Sequence, residues 1–511
     1  MTACAEAGGQ RQWRLGLRLG SAALLILLVT SCDSSPLRSR TFNLGHASFE
    51  DAVENMPQLG QISAAFDRNV VPVPSPGERL RQLDLFAEVF DITAQDYVDP
   101  VPTDRIVALA VDSFDETARE IAEIKAEKPS EERAPVPKDA LSAPKLMASA
   151  LGRFLNELDA HSDYMPPDLY REMKVRTRGE FGGIGIEVTM EEGLVKVVAP
   201  IDGTPGARAG LQAGDLITHV NGEPVLGLTL AEAVKRMRGR RGSSVVLKMR
   251  RPPSEEPFQV TIIRDVVRIQ AVRARVEGNV GYVRITTFNE RAEEALYEAM
   301  DDLRDELNED MLGVVLDLRN NPGGLLDQAL AVSDAFLGEG EIVSTRSRDV
   351  SRVRRFTAER GDISEGKPVV VLINGGSASA SEIVAGALQD HDRALIMGNR
   401  SFGKGSVQTI IPVSGGGALR LTTARYYTPD GRSIQRTGIR PDIRAESGDD
   451  ARRREADLEN ALEGGVETAA VVQRNMAEVC PNLLEDAEDP TLTCALDILE
   501  SRRIFAGRLQ E

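Results

Sequence analysis

The sequence predicts a multidomain α/β protein with a helical N-terminal region, a small β-rich unit, a larger α/β core and a helical tail. Three observations carry that expectation. The chain has 511 residues, enough for about three domains at roughly 150 residues each. The hydrophobic period changes from helical to alternating near residue 176. Beyond about residue 265, apolar strand-like runs and amphipathic helical stretches succeed one another, as in a sheet flanked by helices. Hydrophobic residues at 41% and charged residues at 27% suit a packed soluble body and argue against a polytopic membrane protein. A net charge of -18 repels phosphate backbones, which excludes general nucleic-acid binding.

At the N-terminus, Arg11, Arg14 and Arg18 precede a short apolar run over 21–29, too short to span a bilayer and suited to an export signal over 1–31. The run ends in Val29-Thr30-Ser31-Cys32, which resembles the lipobox of bacterial lipoproteins and implies lipidation of Cys32. Residues 32–78, with prolines at 72, 74 and 76, read as an extended tether. In 79–175, Leu80, Leu83, Phe86, Val89 and Phe90 recur at helical spacing, and a second helix is expected over 146–158. Between them, 112–140 is rich in Glu, Lys, Asp and Pro and reads as a solvated insertion, or else as a helix extended with a polar face.

The β-rich unit spans 176–265. Gly182-Gly183-Ile184-Gly185-Ile186 opens a strand, Ala213-Gly214-Asp215 and Asn221-Gly222 mark turns, and Thr229-Leu230-Ala231-Glu232 is a capping box that starts a short helix. In this order the segments resemble a PDZ domain. That resemblance implies a groove in which a peptide C-terminus adds as a strand beside 184–188, with Gly183, Ile184, Gly185, Ile186 and Val188 on one side and Leu230, Val234 and Met237 on the other.

The core spans 266–445, with strands expected over 280–288, 313–319 and 368–374 and helices over 291–307, 325–336 and 383–388. Three of its segments could carry chemistry. Gly376-Ser377-Ala378-Ser379-Ala380-Ser381-Glu382 lies between a buried strand and a helix, a position suited to a nucleophile, although Ser379 and Glu382 also have the spacing of a capping box. Ser401-Phe402-Gly403-Lys404-Gly405-Ser406-Val407-Gln408 offers Lys404, which burial would make neutral and basic, and Gln408, which could hold its amine; a solvated loop lysine and an ordinary strand glutamine are the plainer readings. Asp317-Leu318-Arg319-Asn320-Asn321-Pro322-Gly323-Gly324 runs from a strand into a glycine turn that is either a bare tight turn or a donor of amides to an oxyanion, with the Ala380 amide as a second donor. No histidine follows His391 and no Gly-x-Ser-x-Gly occurs, so a lysine suits this serine better than a histidine. The four histidines lack metal-ligand spacing, and no metal or cofactor is expected.

From Tyr97-Val98-Asp99-Pro100 to the run Tyr426-Tyr427-Thr428-Pro429-Asp430-Gly431-Arg432-Ser433-Ile434-Gln435, the motifs and their order resemble the C-terminal processing peptidases, tail-specific serine proteases of bacterial envelopes and chloroplasts. The resemblance implies a PDZ domain inserted before a crotonase-like core, Ser379 as nucleophile, Lys404 as general base, Gln408 as its orienting partner, and amides of Ala380 and of Gly323 or Gly324 as the oxyanion site. With the export signal and lipobox it implies an envelope location on the periplasmic side, lipid-anchored, and the PDZ resemblance implies protein or peptide substrates with apolar C-termini. The alternative is an inert or partner-activated PDZ scaffold. Asp159-Ala160-His161-Ser162 departs from the family's usual second-position proline. The acidic tail, 446–511, is expected to be helical and to serve self-association or an adaptor; its Cys480 and Cys494 form either a disulfide or two buried thiols.

Overall fold

The computed structural model describes Phe49, Val53 and residues 58–126, 141–201, 203–349, 351, 353–359, 361–445, 453–464, 473–481, 487–501, 504–505 and 508–509. The export signal, Cys32 and about half of the tether lie outside the described residues. From Ser48 onward the chain forms one compact unit.

Helices α1 (Leu59–Asn69), α2 (Pro76–Asp96), α3 (Thr103–Ala126) and α4 (Ala143–Asn156) build the N-terminal region. Phe66, Phe86, Phe114 and Phe154 are fully buried among them, and Phe86 lies 6.1 Å from Phe114 and 6.2 Å from Phe154, ring centre to ring centre. One expectation is corrected here and one left open is decided. Part of the tether is helix α1, because Ile62 and Phe66 find a core. For the first half of 112–140 the second of its two readings holds, a helix extended with a polar face: it belongs to α3, whose Phe114 and Ser113 face inward. The remainder of that insertion, 127–140, lies outside the described residues.

After β1 (Asp163–Met165) and α5 (Pro167–Arg178), the middle of the chain holds β2 (Glu180–Gly183), β3 (Ile186–Glu191), β4 (Leu194–Pro200), α6 (Pro205–Arg208), β5 (Leu216–Val220), β6 (Glu223–Pro224), α7 (Leu230–Met237), β7 (Ser244–Arg251), β8 (Ser254–Ile263) and β9 (Asp265–Arg268). Strands β3-β4-β5-β7-β8 form an antiparallel sheet, with β6 paired to β5 through Asn221-Gly222, both at positive φ as such hairpins require. The Thr229 hydroxyl accepts from the Glu232 amide at 3.3 Å while Glu232 accepts from the Thr229 amide at 2.8 Å, so the expected capping box starts α7.

The core contains β10 (Val272–Glu277), β11 (Val280–Ile285), α8 (Ala292–Leu307), β12 (Gly313–Asp317), α9 (Leu326–Phe336), β13 (Glu341–Arg346), β14 (Val353–Thr357), β15 (Val369–Ile373), α10 (Ala380–Asp390), β16 (Ala394–Gly398), β17 (Ser406–Pro412), β18 (Ala418–Tyr427) and β19 (Ile443–Arg444); β20 (Arg474–Asn475), α11 (Met476–Val479) and α12 (Pro490–Glu500) follow in the tail. One sheet runs β10-β11-β12-β15-β16-β19-β20, parallel from β11 onward. Every residue of β12, β15 and β16 is buried. A parallel sheet of that kind needs both faces covered. Helices α8, α9 and α10 cover one face, meeting Val314, Leu316, Val371 and Ile396. The tail covers the other, where Met476, Ala495, Ile498 and Leu499 pack on Val315, Val370, Leu372 and Met397. Cys480 and Cys494 are joined in a disulfide with Cα atoms 5.8 Å apart. A second sheet, β1-β18-β13-β14 with β17 beside β18, carries the helical region on Leu419 and Leu421.

Candidate active site

Ser379 stands between the buried strand β15 and helix α10, with φ 54 and ψ -111. A side chain held at positive φ is strained, and such strain persists where the surroundings over-determine it. Three serines share this turn, but two hydroxyls are committed: Ser377 donates to the Leu318 carbonyl at 2.8 Å and Ser381 to the Asn321 carbonyl at 2.9 Å. Ser379 is half-buried at the start of a capping box: the Glu382 amide donates to the Ser379 carbonyl at 2.9 Å, and the Glu382 carboxylate accepts from the Ser379 amide at 2.7 Å. Unlike those of Ser377 and Ser381, the Ser379 hydroxyl donates to no carbonyl among the described residues.

The residue that organises the site is one to which sequence reasoning gave only a capping role. The fully buried Glu382 accepts four hydrogen bonds: Ser401 Oγ at 2.6 Å and the Gly403 amide at 2.7 Å on Oε1, and the amides of Ser379 at 2.7 Å and Lys404 at 2.9 Å on Oε2. Two backbone amides thus converge on a single oxygen, so the nitrogens of Ser379 and Lys404 cannot lie farther apart than those two bonds laid end to end. Burial pushes the Glu382 carboxyl up to about 7, against the pull of its four donors.

Burial of the Lys404 amine lowers it to about 8; the Arg420 cation acts in the same direction, while Glu455, Asp159 and Glu382 oppose it. No described carboxylate forms an ion pair with Lys404. Gln408 lies on β17 at a bulge, and its amide nitrogen donates to Ser406 Oγ at 2.9 Å and Thr422 Oγ1 at 3.3 Å rather than to a group on Lys404.

The glycine turn after β12 sits against the serine. A methyl group at Gly323 would come within 2.9 Å of the Ala380 nitrogen and 3.0 Å of Ser379 Cβ, and one at Gly324 within 2.2 Å of the Phe288 carbonyl oxygen. Both positions have φ that side chains rarely adopt, 98 and 153. The Gly323 amide is occupied, donating to Asn321 Oδ1 at 2.9 Å. The amides of Gly324 and Ala380 have no such partner among the described residues.

The helical region meets the same site. Buried Asp159 accepts from Ser162 Oγ at 2.5 Å and Thr422 Oγ1 at 3.0 Å, Tyr97 donates to the Leu158 carbonyl at 2.8 Å, and Asp99 pairs with Arg425 through both oxygens. His161 Nε2 lies 2.8 Å from Glu455, which also accepts from Gln435; Gln435 in turn holds the Gly405 amide at 3.0 Å. The departure at 159–162 is thus built into a network behind the lysine loop. In the β-rich unit Ile186, Val188, Leu230 and Val234 are half-buried, whereas Gly183, Ile184, Gly185 and Met237 are buried.

A serine held at positive φ, a lysine lowered toward neutrality by burial and two amides without a partner among the described residues stand on adjoining turns, an arrangement of the kind a serine-type peptidase uses. The sequence comparisons place it more narrowly. Residues 279–445 match the model of peptidase family S41, and residues 196–251 match that of the PDZ domain. The carboxy-terminal-processing protease of Bartonella bacilliformis is 56% identical over 300 residues, 58% of this chain and 69% of that one. The carboxyl-terminal-processing protease of Synechocystis is 37% identical over 283 residues, 54% of this chain and 65% of that one. The solved photosystem II D1 C-terminal processing protease is 30% identical, with 71% of this chain and 92% of that one covered and a TM-score of 0.40. The chain belongs to the carboxy-terminal-processing proteases of peptidase family S41.

Proposed function

We propose that this chain is an envelope serine endopeptidase that takes hold of substrate C-termini in its PDZ groove and cleaves nearby through a Ser379–Lys404 dyad. The observation that carries the reading is the convergence of the Ser379 and Lys404 amides on one Glu382 oxygen. Neutral Lys404 accepts the Ser379 hydroxyl proton as Oγ attacks the scissile carbonyl. The Ala380 and Gly324 amides stabilise the oxyanion, and the ammonium returns its proton to the leaving amine. Water, deprotonated by the same lysine, releases the acyl group from Ser379. Gln408 restrains the lysine loop through Ser406, and through Thr422 it connects that loop to Asp159. In the PDZ unit the half-buried Ile186, Val188, Leu230 and Val234 offer an apolar groove to the last residues of a substrate. Lipidation at Cys32 would tether the enzyme to a membrane on the periplasmic side; no described helix is long and apolar enough to cross one.

The test is digestion of an unfolded protein such as β-casein by the wild type and Ser379→Ala, followed by intact mass. The reading expects cleavage lost in the variant and slowed when the substrate's apolar C-terminal residues are exchanged for charged ones. Equal cleavage by Ser379→Ala would overturn the assignment of the nucleophile. Inactivity of both proteins would favour the scaffold.

A further inference from the structure

The tail contributes more than cover for a sheet. Helix α12 is capped by Asp489, whose Oδ1 accepts from the Leu492 amide at 3.1 Å. The same carboxylate receives both arms of Arg319, Nη1 at 2.9 Å and Nη2 at 2.7 Å. Arg319 simultaneously grips buried Asp317, at 3.0 Å from Nε and 2.7 Å from Nη2, and Asp317 accepts from the Tyr282 hydroxyl at 2.7 Å. Burial works against the charge on Arg319, but its bonds to Asp317 and Asp489 outweigh this and raise it above the ordinary arginine range.

Arg319 belongs to the turn that presents Gly324. That turn places Asn320, Gly323 and Gly324 at φ 58, 98 and 153, a backbone path that must be held from outside. Asn374, the residue after β15, holds Asn320, the Asn321 side chain donates to the Ile285 carbonyl from within, and Arg319 ties the turn to the tail. Two of these ties end in or beside neighbouring core strands, whereas the third ends in a helix about 170 residues later in the chain. That helix carries Cys494, and the disulfide to Cys480 fastens it to the end of α11.

We infer that the tail positions the oxyanion turn: Asp489, acting through Arg319, is a positioning residue for hydrolysis, and the Cys480–Cys494 bridge keeps Asp489 in place. The inference rests on the Ser379–Lys404 reading. The two carboxylates divide the work between them. Asp317 neutralises Arg319 whether or not the tail is docked, so loss of Asp489 leaves no unpaired charge and the core stays folded. Asp489 fixes the direction in which the guanidinium, and with it the turn, is held. Rates of acyl transfer are sensitive to such placement, and a displacement of about 1 Å at a donor can cost up to about a hundredfold.

The experiment compares wild type, Asp489→Asn, Asp489→Glu and Cys480→Ser, with Ser379→Ala alongside. For each, kcat and KM on a peptide substrate, thermal midpoint, and the rate at which a fluorophosphonate probe modifies Ser379 by intact mass are recorded. Asparagine keeps the helix cap and loses the charge. Asp489→Asn is expected to lower kcat and phosphonylation together by about tenfold or more, with KM and thermal midpoint held. Asp489→Glu should recover part of the rate. Cys480→Ser, or wild type treated with dithiothreitol, should lose rate in the same sense, and Asp489→Asn should add little once the bridge is open. A kcat for Asp489→Asn within about twofold of wild type would overturn the inference, as would a loss of rate that only follows the thermal midpoint. Full activity in Ser379→Ala would instead sink the dyad on which the inference rests.

Discussion

Lys404 and Glu382 divide the site's protons between them. Lys404 is lowered from 10.5 to about 8 by burial. In the unfolded chain it stays protonated to about pH 10.4, so between about 8 and 10.4 the unfolded state binds more protons and this group's contribution to stability rises with pH. Its chemistry follows the same limb: kcat/KM should increase as pH rises through about 8, measured with a peptide substrate between pH 6 and 10. Glu382 runs the other way. Raised from 4.5 to about 7, it binds more protons in the folded than in the unfolded chain over that range, so its contribution to stability is present below about 4.5 and lost as pH rises through 7. Above 7 it is the four-fold acceptor that the site needs. In Glu382→Gln an amide NH2 faces an N–H or hydroxyl donor, and the expected result is a loss of stability of about 2–4 kcal/mol, read by denaturant unfolding, with kcat reduced at least about tenfold.

At the scale of elements, the strand-turn-helix at 369–390 was legible because its apolar run, small-residue turn and helical stretch are local signals. The glycine turn at 317–324 was legible for the same reason. That these turns adjoin was not, since contact between segments some sixty residues apart leaves no mark in either one. Gly324→Ala would place a methyl 2.2 Å from the Phe288 carbonyl and move the Gly324 amide, so we expect kcat to fall by about a hundredfold or more with little change in KM, by steady-state kinetics. Glu382 was read only as a capping partner: sequence pairs residue i with i+3, and no spacing rule links 382 to 401, 403 and 404. Over 112–126 the sequence left helix and solvated insertion both open, because the Glu- and Lys-rich composition concealed Phe114. Phe114→Ala should cost about 3–5 kcal/mol in chemical denaturation.

Across the molecule, the acidic tail was read by composition and expected to serve self-association or an adaptor, and its described helices cover the second face of the parallel sheet. The signal was present in β12, β15 and β16, whose unbroken apolar runs predict a sheet covered on both faces, while helices α8, α9 and α10 supply only one cover. The PDZ unit and the core were legible as separate periods, whereas the network through Asp159, Thr422, Glu455 and His161, which fastens the helical region behind the lysine loop, depends on contacts between residues up to 294 positions apart. The central claim is that Ser379 forms the acyl-enzyme with Lys404 as its base, and rapid-quench mass mapping of the enzyme during turnover tests it most directly. Wild type is expected to show a transient acyl adduct on the peptide containing Ser379, with its formation slowed by about a thousandfold in Lys404→Ala. Turnover with no adduct, an adduct on another residue, or acylation of Lys404→Ala at the wild-type rate would contradict it.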